Sequence, residues 1–372
     1  MVPVSVLIVT AGFGEGHNAA ARNIEEAIHE FHPDILVSVH DFLREAHPWI
    51  YPVAQWVYKT AIRRAPWAWK LFYQFLDIFP FVSSFGLGLY TRAARRMRHT
   101  ILRMEAGIVV STFPGYAAIF RRAARKLDLK LPFATVITDS ITINSIWFAT
   151  PSDAYFVPND SSAQVLEQKG IPRSKIRVTG FPVPHLFATP PAHPREVPPA
   201  DGLWKVLYIV NAEGDEAVHT ARGLLALENL ALTVTCGRDE TLCRRMRELG
   251  EELGRPIEVL GWAPEMPHLI RRSHLLIGKA GGATVQEAMA AHTPMIITKI
   301  VPGQEEGNAR LLAEAGAGFV AKSPAAVVEA VHRLFVSGGA PYRACLKAAT
   351  SISHPSAAKD IANFVSTLCR RG

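Results

Sequence analysis

The order of predicted elements at the N-terminus most constrains the fold. A continuous apolar run, Val4 to Thr10, ends in a glycine-rich turn, Gly12 to His17, and helical apolar spacing follows from Asn18 to Phe31. A second apolar run, Ile35 to His40, is closed by Asp41. Continuous apolar strands are typical of parallel sheets buried on both faces, and the strand–turn–helix–strand order begins a doubly wound α/β domain.

The same alternation of strands and helices continues and then restarts after a proline-rich stretch. The predicted strands are 107–111, 133–138, 154–157 and 175–179 before this stretch, and 205–210, 231–235, 257–260, 275–277 and 295–298 after it. A length of 372 residues also favours two cores. We therefore predict an α/β protein with two Rossmann-like, doubly wound parallel-sheet domains. The expected parts are an N-terminal domain 1–187 with an insertion at 42–105, a linker 188–203, a C-terminal domain 204–355 and a C-terminal helix 356–372.

Charge and cysteine usage narrow the class of protein. A net charge of +7 indicates an anionic partner, which could be nucleic acid, a phosphorylated substrate or anionic lipid. The four cysteines form no CxxC pair and have no histidines at ligand spacing, which is typical of free thiols in a reducing compartment. The chain shows no signal-peptide pattern and no uninterrupted apolar run of about eighteen residues. We expect a cytoplasmic protein able to sit on a membrane.

The first motif is the turn Gly12 to His17, between the first strand and its helix. Gly14 and Gly16 would let another molecule approach the main chain closely. The His17 imidazole, at the carboxyl edge of the sheet, could accept a proton from an acceptor hydroxyl near neutral pH. The alternative is that His17 only caps the helix or binds a backbone carbonyl.

The second motif runs from Gly278 to Glu287, again between a strand and a helix. Its backbone N–H groups and the helix dipole can hold a diphosphate, and Thr284 could add a hydroxyl donor. Glu287, one turn deeper, could bind both hydroxyls of a ribose. The alternative is that Glu287 forms a capping box with Thr284.

The third motif is the loop Pro302 to Asn308, after the predicted strand 295–298. Gln304 and Glu305 offer donors and acceptors that suit sugar hydroxyls. The alternative is an ordinary polar first turn of a helix.

Together with other segments, these motifs resemble glycosyltransferase family 28, most closely its diacylglycerol glycosyltransferase branch. The resemblance spans nearly the whole chain, and several matches occur in the right order and spacing. The segments that carry it are VTAGFGEGHNAAA (residues 9–21), TDSITINSIW (138–147), QKGIPRSKIRVTGFPV (168–183), CGRDETL (236–242), LGWAPEMPHLIRRSHLLIGKAGGATVQEAM (260–289) and PGQEEGNARLL (302–312).

The resemblance implies a GT-B fold, in which two domains face a cleft, and inversion at the anomeric carbon. The donor would be UDP-galactose or UDP-glucose in the C-terminal domain, and the acceptor diacylglycerol on the N-terminal domain, with no essential metal and no other cofactor. On the acceptor side, His17 resembles the general base or its neighbour, and Asp139 would orient the acceptor or His17. The donor contacts that the resemblance implies are Gly281, Gly282 and Thr284 for the diphosphate, Glu287 for the ribose, Gln304 and Glu305 for the hexose, Trp262 and Met266 near the uracil, and Gly214 in the first phosphate-facing turn. Without a metal, nearby cations must meet the charge on the departing UDP, and the candidates are Lys279 and Arg238.

Two positions depart from the family pattern. Asn144 stands where members usually carry a histidine, and the loop Val210 to Gly214 is poorer in glycine than usual. Both leave the reaction class intact and leave the donor sugar and the acceptor open.

The insertion 42–105 is rich in aromatic and basic residues. It holds Trp49, Trp56, Trp67 and Trp69, four of the seven tryptophans, and far more basic than acidic residues. Aromatic rings interleaved with cations suit a membrane interface with anionic lipid, so we expect peripheral attachment at the inner face of the cell membrane. The uncharged stretch 78–91 favours a shallow interfacial segment. The alternative is a two-helix insertion with core aromatics and a solvated charged face.

Two other functions fit parts of the sequence. A nucleic-acid-binding protein would suit the charge, but the chain has no RNP, zinc-finger or helix-turn-helix signature, so no nucleic-acid partner is expected. A transferase that adds N-acetylglucosamine to a polyprenyl-diphosphate peptidoglycan precursor would share the fold. The long aromatic insertion and the PGQEE loop favour diacylglycerol. The hexose, the number of sugars added and the oligomeric state stay open.

Overall fold

A computed structural model describes residues 5–78, 89–125, 130–189, 197–198, 202–303 and 305–369. The chain divides into two compact units, the first formed by Met1–His185, Val301–Gly307 and Pro355–Gly372, and the second by Leu186–Ile300 and Asn308–His354. Most of the uncharged stretch 78–91, most of the predicted linker 188–203, and Gln304 lie outside the described residues.

The first unit contains a parallel sheet of six described strands. Their bounds are β1 Ser5–Val9, β2 Leu36–His40, β3 Ala106–Ser111, β4 Phe133–Val136, β5 Ala154–Val157 and β6 Ile176–Val178. The strand order is β2-β1-β3-β4-β5-β6. Because the order reverses beside β1, the loops that follow β1 and β3 diverge at the carboxyl edge and leave a crevice between them, where α/β sheets bind ligands.

Helices cover both faces of this first sheet. Their bounds are α1 Glu15–Phe31, α2 Phe42–Ala46, α3 Ile50–Arg64, α4 Pro66–Ile78, α5 Leu89–Met104, α6 Tyr116–Ala124, α7 Asp160–Gln168 and the C-terminal helix Ala357–Cys369. One core joins Ile24 of α1 and Val6 of β1 to Ile361 and Val365 of the C-terminal helix. We predicted the segment 356–372 as a separate helix, and its apolar face completes the core of the first unit.

The second unit repeats the architecture. Its strands are β7 Trp204–Ile209, β8 Leu230–Thr235, β9 Ile257–Leu260, β10 Leu275–Lys279, β11 Met295–Lys299 and β12 Gly318–Val320. The helices after β7 are α8 Gly214–Leu225, α9 Glu240–Leu253, α10 Met266–Arg272, α11 Gly282–Ala290, α12 Glu306–Glu314, α13 Pro324–Phe335 and α14 Ala340–Ser351, and the C-terminal helix is α15. The order β12-β11-β10-β7-β8-β9 is that of a dinucleotide-binding sheet, with its switch point between β7 and β10.

The segment Val301–Gly307 groups with the first unit, although it lies within the range 204–355 that we predicted as the C-terminal domain. Lys70 of α4 forms an ion pair of 3.0 Å with Glu306. Gly307 lies so close to the first unit that a Cβ there would overlap the carbonyl oxygen of Ser140. The absence of a side chain at position 307 therefore allows this close approach.

Candidate active site

The N-terminus of α11 gathers groups that suit an anion. Gly281 is the N-cap residue and supplies no side chain to the first turn. The Lys279 Nζ atom lies 3.4 Å, and Thr284 Oγ1 3.7 Å, from the point where a Cβ on Gly281 would sit. An ammonium, a hydroxyl and the main chain of Gly282 thus meet at the positive end of a helix, an arrangement that holds phosphate groups. The helix begins at Gly282, so Thr284 is not an N-cap and the alternative capping box with Glu287 is not formed.

This helix end lies at the switch point of the second sheet. Gly278 of β10 packs against Ile209 of β7. A Cβ added to Gly278 would lie 3.8 Å from the side-chain amide of Asn211. The Asn211 amide in turn donates to the Ile209 carbonyl at 2.8 Å. The loop after β7, which we noted as poor in glycine, is therefore ordered by a side-chain amide.

Gly214 starts the helix that follows this loop. A Cβ on Gly214 would approach the Arg245 guanidinium to 2.9 Å, and Arg245 pairs with Asp215 at 2.6 Å. Sequence reasoning missed Arg245, since nothing in its own segment distinguishes it from other basic residues of α9. The structure thus adds a cation beside the predicted Gly214.

The loops after β8 and β9 carry the other predicted donor contacts. The Arg238 guanidinium lies 5.1 Å from the centre of the Trp262 ring, and Trp262 is 63% exposed. Met266 is the first residue of α10 and is partly buried. An exposed indole with a cation on it offers a platform for a planar ring. Glu287 lies in the second turn of α11 and is partly buried.

His17 lies at the corresponding edge of the first sheet, in the first turn of α1. Its Nδ1 atom makes a 2.9 Å hydrogen bond with the Thr138 hydroxyl, and its ring contacts those of Phe113 and Trp147. Burial lowers the pKa of His17 to about 4, so the imidazole is neutral at physiological pH. The helix is capped by Gly14, whose φ of 118° suits glycine, so His17 is not the cap. The alternative of a backbone partner holds, since a hydrogen bond with the Thr112 backbone opposes the fall in the pKa of His17. Gly16 lies beside it, in the first turn.

Asp139 follows Thr138 and is partly buried. Its Oδ2 atom accepts hydrogen bonds from Trp147 Nε1 at 2.7 Å and from the Tyr73 hydroxyl at 3.1 Å. Burial raises the pKa of Asp139 to about 6, and the two hydrogen bonds oppose that rise. Because the Trp147 ring also contacts His17, the two predicted acceptor-side residues share a neighbour.

The glycine turn is clamped by a carboxylate that we had noted only as the end of a strand. Asp41 accepts from the Tyr51 hydroxyl, from the Tyr116 hydroxyl at 3.2 Å and from the Gly12 amide at 3.3 Å. The Gln55 amide donates to the Gly12 carbonyl at 2.5 Å. Tyr51 and Gln55 lie on α3, so this helix of the insertion fixes the main chain that leads to His17.

The third motif is described in part. Glu305 is 7% exposed, and its Oε2 atom accepts the Val301 amide at 2.9 Å. The carboxylate therefore holds the loop closed, as part of the first unit. Gln304 lies outside the described residues.

Helices α3 and α4 of the insertion each have an exposed face and a buried face. Their outer faces carry large exposed apolar side chains, whereas Tyr51 and Tyr73 on the inner faces are buried. The exposed set is Trp49, Ile50, Val53, Trp56, Val57, Trp67, Leu71, Phe72, Phe75 and Ile78. Trp69 differs from the exposed set, because it is partly buried and packs on Tyr58 and Tyr73. In the part of the chain that the structure covers, no helix has both the length and the apolar character needed to cross a bilayer.

Comparisons with known proteins match both halves of the chain. Residues 17–183 match the family model described as Monogalactosyldiacylglycerol (MGDG) synthase, and residues 214–361 match that of the Glycosyltransferase family 28 C-terminal domain. The resemblance inferred from the motifs is thereby confirmed.

Relatives from a bacterium and a plant match most of the chain. A processive diacylglycerol beta-glucosyltransferase of Bacillus mycoides is 28% identical over 87% of this chain and 83% of its own length. A probable chloroplastic monogalactosyldiacylglycerol synthase of Glycine max is 29% identical over 90% of this chain and 65% of its own length.

Solved structures share the fold. The crystal structure of Acinetobacter baumannii MurG has a TM-score of 0.65 at 16% identity and covers 98% of this chain and 100% of its own. Anabaena Alr3699/HepE in complex with UDP and glucose has a TM-score of 0.55 at 11% identity and covers 98% of this chain and 100% of its own. The predicted fold class, GT-B with two Rossmann-like domains, is confirmed.

Proposed function

We propose that this chain, which joins an MGDG synthase region to a glycosyltransferase family 28 C-terminal domain, transfers a hexose from UDP-galactose or UDP-glucose to diacylglycerol with inversion. The observation that carries the proposal is the anion cradle at the switch point of the second sheet, where Lys279 and Thr284 meet the N-terminus of α11. A sugar nucleotide presents the diphosphate that this cradle suits.

The cradle would stabilise the leaving group. As the bond to the anomeric carbon breaks, negative charge accumulates on the departing UDP. Backbone N–H groups from Gly282 onward, the Thr284 hydroxyl and the Lys279 ammonium would meet that charge, and Arg238 would supply a second cation. Glu287 would bind the ribose, the ring of Trp262 would border the uracil, and Gln304 and Glu305 would contact the hexose.

On the acceptor side, Asp139 would take the proton of the lipid hydroxyl, and His17 would orient that hydroxyl. A general base works best when its pKa lies near the operating pH. Burial raises the pKa of Asp139 to about 6 and lowers that of His17 to about 4, so Asp139 is the stronger base and is still mostly ionised at pH 7. The rate should fall as the pH drops through about 6. If the rate instead fell only near pH 4, the base would be assigned to His17.

The outer faces of α3 and α4 would rest in the interface of the membrane that contains the acceptor. Exposed tryptophans such as Trp56 and Trp67 suit the headgroup region. The next helix, α5, exposes Arg92, Arg95 and Arg96, which suit anionic lipids of the inner leaflet. The inner face of the cell membrane is therefore the proposed location.

The test offers purified protein a panel of UDP-sugars with two acceptors, diacylglycerol in vesicles and a polyprenyl-diphosphate peptidoglycan precursor, and identifies products by mass spectrometry. We expect hexosyl-diacylglycerol with UDP-galactose or UDP-glucose. Transfer of N-acetylglucosamine to the diphosphate acceptor, or no transfer to diacylglycerol, would overturn the proposal. Lys279→Ala is the matched variant, and it should lose UDP affinity along with turnover.

A further inference from the structure

Helix α4 touches the acceptor-side residues with one face while its other face is exposed. Lys70, Tyr73 and Asp77 follow one another at spacings of one and two turns and so lie along the inner face. Lys70 pairs with Glu306, and Asp77 accepts the Ser145 amide at 2.6 Å. Tyr73, in the middle, is 8% exposed.

Tyr73 is fixed at three points. Its hydroxyl donates to Asp139 Oδ2 at 3.1 Å, and its carbonyl accepts from the Asn144 side-chain amide at 2.7 Å. Its ring packs against Gly303, where an added Cβ would approach the ring to 3.3 Å. Gly303 has a φ of 87°, so the main chain bends there in a way that favours glycine. The hydroxyl is therefore held in one direction, towards the carboxylate.

The proposed role of Asp139 requires a hydrogen-bond donor that fixes its orientation. A carboxylate that must receive a proton has to point one oxygen at the substrate and keep the other anchored. Both observed hydrogen bonds end on Oδ2, from Tyr73 on one side and from Trp147 on the other. Within the described residues, no hydrogen bond involves Oδ1. The geometry thus anchors one oxygen and leaves the other for the acceptor.

We propose that Tyr73 is a positioning residue of the transfer reaction, which anchors Asp139 through its hydroxyl and carries that contact on the helix that rests in the membrane. This inference rests on the proposed function for the role of Asp139 in the reaction. The Tyr73–Asp139 contact itself does not depend on which sugar is transferred.

The expected signature is a change in pH dependence, because a hydrogen bond to the ionised carboxylate favours the charged form. The titratable and charged groups around this pair are Tyr58 of α3, Lys70 and Asp77 of α4, His17 of α1 and Glu306. None of them is altered by Tyr73→Phe, which removes one oxygen and keeps the ring. Loss of this charge-assisted hydrogen bond should move the acid limb of the kcat profile upward by about one to two pH units.

The experiment measures kcat and KM against pH for the parent and for Tyr73→Phe, with diacylglycerol vesicles and the active UDP-hexose. Titration of ¹³C-labelled aspartate carboxyls by NMR, with Asp139→Asn to assign the signal, reads the same contact without turnover. Tyr155→Phe is the matched control, since the Tyr155 hydroxyl is also buried and accepts the Ser152 amide at the other edge of the sheet. We expect the midpoint pH of the acid limb of kcat and the pKa of the Asp139 carboxyl to rise together in Tyr73→Phe only. The KM for the UDP-hexose should stay unchanged.

The outcomes separate the two proposals. The positioning role would be overturned if Tyr73→Phe changed neither the midpoint pH of the acid limb nor the pKa of the Asp139 carboxyl. It would also be overturned if Tyr155→Phe changed them equally. If neither parent nor variant transfers hexose to diacylglycerol, the proposed function fails, and the carboxyl titration alone decides whether Tyr73 anchors Asp139.

Discussion

Replacing Trp56 by alanine should weaken membrane binding by an amount that the structure sets. Trp56 is 66% exposed, which for a side chain of about 250 Å² leaves about 165 Å² in water. Complete removal of that area from water would contribute about 4 kcal/mol, and immersion of half of it about 2 kcal/mol. The partition coefficient for vesicles should therefore fall about 30-fold in Trp56→Ala.

The assay is sedimentation of the protein with vesicles that contain anionic lipid and diacylglycerol, at several lipid concentrations. Trp262→Ala is the matched control, because Trp262 is 63% exposed but belongs to the second unit and not to the insertion. Thermal unfolding of each variant should match the parent, since both side chains are exposed. Equal loss of binding in the two variants, or none in Trp56→Ala, would refute the assignment of the outer face of α3 to the membrane.

Three further substitutions test the other parts of the site. His17→Ala should lower kcat by about 10²-fold, because the acceptor hydroxyl loses its orientation, with little change in the KM for UDP-hexose, in steady-state kinetics; a normal rate would exclude His17 from the reaction. Glu287→Ala should weaken UDP binding in calorimetry by about tenfold or more, because a charge-assisted hydrogen bond to the ribose is lost; unchanged affinity would remove Glu287 from the site. Gly307→Ala should destabilise the fold by about 1–3 kcal/mol in chemical denaturation, because the methyl group would overlap the Ser140 carbonyl; an unaltered midpoint would show that the loop moves aside.

Local patterns predicted the strands well and pointed to the anion cradle. The strands 154–157 and 257–260 were predicted at their observed bounds, because each is a short apolar run bordered by turn residues. The cradle could be found because its glycines, Lys279 and Thr284 are neighbours in the chain. The short strand β12, Gly318–Val320, was not predicted, since a single buried residue among three gives no periodicity.

Contacts between distant segments could not be found this way. Tyr73 and Asp139 are separated by 66 positions, and Asp41 and Tyr116 by 75. Nothing in the sequence around Tyr73 distinguishes it from the exposed aromatic residues of the same helix. The helical period shows which positions share a face, but only the packed fold shows which face is turned inward.

Helix α15 affects how the chain can be synthesised. Its residues Ile361 and Val365 complete a core begun by Val6 and Ile24, which are synthesised long before them. Domains generally fold in order as they are made. Here the first unit stays unfinished, with an apolar face open to water, until α15 has been made. A nascent chain must therefore avoid aggregation while the whole second unit is synthesised, and a premature stop before position 355 would leave the first unit without its cover.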